Sequence, residues 1–202
     1  MKISDRARQG FDQFVQHCMR TTLVPAGQSA IGITALDAVT PEPVSSARAA
    51  STAPRTTASR GVVVMLTVAS SSFSLVLFLH HEVDAAARAR LAAQHGLDPS
   101  ARDGQAVEDA MSEAGNLFCG ALNRELGRVF PLVGMSTPHR LDGHCIDHLR
   151  LLRHSHARHF RMALSDGSHR LASYCVCAYG DIDFAAPEAV VEDVSVGELE
   201  LF

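Results

Sequence analysis

The chain has 202 residues, 47% of them apolar and 20% charged, with a formal net charge of −4. This is a globular composition, long enough for a full hydrophobic core and too apolar for a disordered chain. The acidic balance provides no basic footprint for nucleic acid. Cys18, Cys119, Cys145, Cys175 and Cys177 are odd in number and scattered, so no disulfide framework is expected. The first eight residues lack the apolar stretch of a signal peptide, and the expected location is the cytoplasm.

Ser4 can cap a helix running to about Thr22, with Ala7, Phe11, Phe14, Val15 and Cys18 as its apolar stripe. Ile31 to Leu36 reads as a short strand. From Thr40 to Ser59 the chain turns to Pro, Ser, Ala, Thr and Arg without periodicity, which predicts a flexible loop. Gly61 to Leu79 carries no charge over 19 residues, close to the length of a membrane span. Its Val, Phe and Thr content and the interruption at Ser70-Ser71-Ser72 point instead to two buried strands, 61–68 and 72–79, joined by a serine turn. No membrane partner is expected. A helix over Val83 to His95, stopped by Gly96, leads into a loop and then a long helix from about Gln105 to Gly127. Strands are expected at 130–136, 145–152, 157–164 and 170–179. Hairpins mixed with separate helices predict an α+β domain with one mainly antiparallel sheet packed against long helices. Residues 1–180 are read as that single domain, and 181–202 as an acidic tail with seven acids and no base. The tail's last residues, Leu199 to Phe202, alternate like an edge strand.

The long helix is the informative part. At ~100° per residue, Met111, Ala114, Leu117, Phe118, Ala121, Leu122 and Leu126 fall in one broad apolar sector. Asp109, Glu113, Asn116, Gly120 and Asn123 cluster within roughly 80° on the opposite face. Gly120 sits one turn beyond Asn116. A helix-interior glycine is unfavourable by about 1 kcal/mol relative to alanine, and its use here would be to let another molecule approach Asn116. A plain solvated face with a chance glycine fits the pattern as well.

Other constellations are weaker. His154 and His156 would share a strand face, and His144 and His148 a helical turn. No third and fourth ligand appears in a Cys-x2-Cys or His-Glu-x2-His pattern, so no metal site is expected and the histidines read as exposed. Cys175 and Cys177 read as core packing. Nucleotide-binding loops and the Gly-x-Ser-x-Gly elbow are absent.

Asp109-x3-Glu113-x2-Asn116-x3-Gly120 on a long helix, followed by Phe130 to Pro138 and Gly143, resembles the signature of the CheC, CheX and FliY chemotaxis phosphatases. These proteins dephosphorylate the response regulator CheY. A single Glu-x2-Asn makes CheX the nearest match, and the resemblance spans Ile3 to Tyr179. It implies a CheC/CheX-like two-layer sandwich and a hydrolase acting on the aspartyl phosphate of a CheY-like receiver domain, ending a chemotaxis or related two-component signal. It also implies that Asn116 positions the attacking water and that Glu113 pairs with the receiver lysine. Asp109, Gly120 and Asn123 border the partner. Mg²⁺ belongs to the receiver, so no cofactor is expected in this chain; a homodimer is implied. The alternative is a non-catalytic receiver-binding or scaffold protein of the same fold. The Pro/Ser/Ala loop, the His/Arg-rich segment 139–170 and the acidic tail depart from the family pattern.

Overall fold

A computed structural model describes residues 2–36, 61–82, 85–94 and 104–187. The loop expected at 40–59 and the terminal strand at 199–202 lie outside them. Helix α1 (Asp5–Thr22) starts at Ser4, whose Oγ accepts a hydrogen bond from the Ala7 N–H, and every residue of the expected stripe is buried. Strand β1 (Ala30–Leu36) follows. Strands β2 (Val62–Ala69) and β3 (Phe73–His81) form the expected hairpin, closed where Ser70 N–H donates to the Phe73 carbonyl. Helices α2 (Ala85–Gln94) and α3 (Gly104–Gly127) come next. No helix among the described residues is long and apolar enough to cross a membrane.

After α3 the chain departs from the expected strands. Only Gly134–Met135 is extended in the stretch read as 130–136; this is β4, and a second short strand, β5 (His139–Asp142), appears instead. Both pair with β2, which makes them one edge strand broken at Ser136-Thr137-Pro138. Pro138 has no N–H to give a ladder. Before the break, Ser136 holds Thr67 on both sides, its hydroxyl accepting from Thr67 N–H at 3.0 Å while its N–H donates to the Thr67 carbonyl.

Residues 145–152, expected as a strand, belong to a 3₁₀ helix over Gly143–Leu152. The Asp142 carboxylate caps it by accepting from His144 N–H at 2.8 Å, and the buried Ile146 and Leu149 are three apart, matching a three-residue turn and not a strand's alternation. Strands β6 (His156–Leu164) and β7 (His169–Ala178) complete an antiparallel sheet of seven strands, ordered β1-β6-β7-β3-β2 with β4 and β5 beyond β2.

Alternation along the strands gives the sheet two apolar faces. One carries Val64, Leu66, Leu75, Leu77, Phe160, Met162 and Tyr174, and α1 and α3 lie on it. On the other, Val63, Phe78 and Cys175 are covered by Ile146 and Leu149 of the 3₁₀ helix. Beyond β7 the described residues 181–187 continue onto the core. Ile182 and Phe184 are buried, Ile182 bridges Ile3 in parallel, and Phe184 stacks among Phe11, Phe14 and Phe130. Gly10 makes room for that ring, because a Cβ there would stand 2.6 Å from Phe184 Cε2.

Candidate functional site

Helix α3 packs along β2 and against α1, and its orientation about its own axis decides what it shows to solvent. Gly115 sets that orientation. A Cβ at 115 would stand 2.7 Å from Val64 Cγ1 and 3.0 Å from Leu66 Cδ1, so only glycine lets the helix backbone lie this close to β2. With Gly115 and Cys119 turned down onto the core, the apolar sector is rolled away from where the sequence centred it. Leu117, expected in the core, is thereby carried out to 53% exposure.

The opposite face is open. Asp109 and Glu113 are exposed, and Asn116, Gly120 and Asn123 are half-buried. The Gln105 side chain donates to Asp109 Oδ1 at 2.7 Å and fixes that carboxylate. At Gly120 an added Cβ would meet nothing within 4 Å. Helical side chains lean toward the N-terminal turn, so any longer residue at 120 would lie over Asn116. The glycine keeps that space clear. Asn123 differs from expectation in one respect: its Oδ1 is buried without a hydrogen-bond partner among the described residues, so its amide is turned partly away from the open face. Arg140 on β5 pairs with Glu108, tying the edge strand to α3.

The sequence pattern did not single out Gly115, Gln105 or Leu117 as bearing on this face. Gly115 had a readable signal, as a second helix glycine placed about 100° from Asn116. The other two depend on tertiary orientation.

His144 and His148 are exposed, as expected, and His154 is half-buried, but other histidines are built into the fold. His156 is buried, with Nε2 3.0 Å from both Asp12 Oδ1 and the Tyr174 hydroxyl. Tyr174 donates to Asp12, and Arg158 lies 3.4 Å from its other oxygen. Burial pushes the Asp12 carboxyl up, but the hydrogen bonds from His156 and Tyr174 and the charges of His156 and Arg158 outweigh it, so its pKa lies below the ordinary carboxylate value. On the other sheet face, His80 Nε2 and His159 Nδ1 each lie 2.7 Å from Ser173 Oγ. One hydroxyl has one proton, so one neutral imidazole accepts from it and the other donates to it. Ser173 is fully buried, which makes this a cross-link of β3, β7 and β6 and no accessible nucleophile. Cys175 is buried, and Cys177 is half-buried with its thiol directed at the Leu152 carbonyl. Among the described residues no group of three or more His, Cys, Asp or Glu is arranged to hold a metal ion.

No family model matches the sequence, and no curated protein matches it. Solved structures do. The chain is similar to one in the crystal structure of the CheX-CheY-BeF3-Mg²⁺ complex from Borrelia burgdorferi, at 14% identity and a TM-score of 0.50, over 83% of this chain and 96% of that one. The fold is CheX-like. A CheC-like superfamily protein from Shewanella sp. PV-4 aligns at 12% identity, 86% and 99% coverage and a TM-score of 0.47. The chemotaxis protein CheX from Vibrio vulnificus aligns at 14%, 83% and 97%, and 0.47. At 14% identity the Borrelia alignment establishes the CheX-like architecture alone, an antiparallel sheet with helices.

Proposed function

We propose that this protein hydrolyses the aspartyl phosphate of a CheY-like response regulator in chemotaxis or a related two-component pathway. The observation that carries the reading is the open face of α3. Within a CheX-like fold it presents Asp109, Glu113 and Asn116 to solvent, with Gly120 leaving Asn116 uncovered on its C-terminal side. The Borrelia structure, which contains CheX together with CheY, supports a receiver domain as the partner.

Phosphoryl transfer is governed by positioning and electrostatics. A receiver supplies Mg²⁺ and a lysine beside its phosphorylated aspartate; what hydrolysis needs in addition is an oriented water. The Asn116 carboxamide oxygen accepts a hydrogen bond from that water and brings no net charge near the phosphoryl oxygens. The water oxygen then bonds to phosphorus as the bond to the aspartate oxygen breaks, leaving a carboxylate and inorganic phosphate. Glu113 pairs with the receiver lysine by a charge-assisted contact, which sets the register of the helix. Asp109, held by Gln105, adds negative charge on the same side, and Gly120 and Asn123 border the contact. Phosphate loss is measured for each of the host's receivers, phosphorylated and mixed with this protein. One or a few receivers should lose phosphate faster. If a receiver binds yet its phosphate lifetime is unchanged, the protein is a receiver-binding scaffold and not a phosphatase.

A further inference from the structure

Among the described residues Leu117 is the large apolar side chain that α3 exposes, at 53%. Isolated surface leucines are ordinary, but the position of this one is not arbitrary. About the helix axis it lies ~40° from Glu113, one turn earlier, and ~20° from Arg124, two turns later. A helical leucine leans toward its N-terminal turn, so the Leu117 side chain lies beside Glu113. On its C-terminal flank Gly120 and Ala121 are too small to cover it. The result is one apolar projection between an acid and a base, next to Asn116. The rotation of α3 that exposes it follows from Gly115, whose close approach to Val64 and Leu66 fixes the helix on β2. Leu117 is therefore held on a rigid support, so docking on it orders few additional groups.

Resting on the function proposed above, we propose that Leu117 is the apolar contact that seats the receiver domain on α3. It would favour receivers that carry an aliphatic surface one helical turn from the lysine paired with Glu113. Charge complementarity commits the face to such a partner. The acid-rich end, Asp109 and Glu113, meets the lysine, and Leu117 meets its apolar border.

The test compares Leu117→Ser with Leu151→Ser. Leu151 is 70% exposed on the 3₁₀ helix, over the other face of the sheet. The probe is a receiver domain loaded with Mg²⁺ and BeF₃⁻, a stable stand-in for the phosphoryl group, with steady-state dephosphorylation measured in parallel. Leu117→Ser should weaken binding about tenfold, the loss expected when a leucine contact is removed. KM should rise with kcat held within about twofold, because a seating contact serves ground and transition states alike. Leu151→Ser should leave binding unchanged. The proposal is overturned if Leu117→Ser binds like wild type or if Leu151→Ser loses as much. It is also overturned if Leu117→Ser changes only self-association in sedimentation, which would mean that a second copy covers the face. A wild-type protein that binds the receiver without hydrolysing its phosphate removes the phosphatase reading alone, and the binding comparison still decides Leu117. A wild-type protein that binds no receiver removes both.

Discussion

Asn116 and Glu113 sit three residues apart on one exposed strip of helix, yet the proposed mechanism asks different things of them. Asn116 acts on a water that is positioned for the transition state, while Glu113 acts on a lysine present before and after reaction. Asn116→Ala should therefore lower kcat on the order of 100-fold or more, the range seen when one positioned hydrogen-bonding group is removed, with receiver affinity nearly intact. Glu113→Gln keeps size and helix propensity and loses only charge, so affinity should fall more than for Asn116→Ala and become less sensitive to salt. Measuring Kd across a salt titration alongside phosphate release separates the two. Full hydrolysis by Asn116→Ala would eliminate the water-positioning role. These two residues were legible in the sequence because their spacing is local: 3.6 residues per turn fixes which side chains share a face, whatever the helix packs against.

At the level of the helix, local reasoning reached its limit. Periodicity located α3 to within one residue, and Ser4 located the start of α1, because both signals reside in neighbouring side chains. The rotation of α3 on the sheet was not legible, since it depends on Val64 and Leu66, some fifty residues earlier, meeting Gly115. The stretch 145–152 reads as a strand from its apolar content, but the local Asp142 cap and the three-residue spacing of Ile146 and Leu149 belong to a 3₁₀ helix. The two helix glycines consequently predict opposite outcomes. Gly120→Leu gains close to 1 kcal/mol of helix propensity and meets no obstacle, so the melting temperature should rise by about 2–4 °C. Phosphatase activity should fall, because the new side chain leans over Asn116. Gly115→Ala gains similar propensity but drives a methyl to 2.7 Å from Val64 Cγ1. Overpacking of this kind costs about 1–3 kcal/mol, so the clash outweighs the propensity and the melting temperature should drop. A Gly120→Leu protein that is both more stable and fully active would mean that nothing docks closely on this face.

Across the whole molecule, two devices join elements that the sequence keeps far apart. The first is the His80–Ser173–His159 bridge. Burial, with His159 and His81 nearby, pushes His80 down to about 4, against ~6.5 for an unfolded histidine. Below pH 6.5 the unfolded chain takes up a proton that the folded chain refuses until about pH 4, so stability is full above pH 6.5 and declines as pH falls through that window. Urea midpoints at pH 7.5 and pH 5 should show the decline, and His80→Gln, which can still bond Ser173 without titrating, should show less of it. The second device is the segment 181–187, read in the sequence as the start of an acidic tail because its acids dominate its composition. The alternation of Ile182 and Phe184 with Asp181 and Asp183 carries the structure. Ile182 exchanges backbone hydrogen bonds with Lys2 and Ser4, Asp183 pairs with Arg6, and the Phe184 ring centre lies 5.0 Å from both Phe11 and Phe130. Phe130 lies just beyond the end of α3, so this one ring locks the middle of α1 to the exit of the helix that bears Glu113 and Asn116. Phe184→Ala should cost about 3–5 kcal/mol, the usual range for emptying a buried aromatic site. A chain ended after residue 180 should lose at least as much relative to one ended after residue 187, which retains the ring. Chemical denaturation of the two truncated chains decides the point: equal stabilities would mean that the aromatic cluster closes without Phe184 and that the fold ends where β7 does.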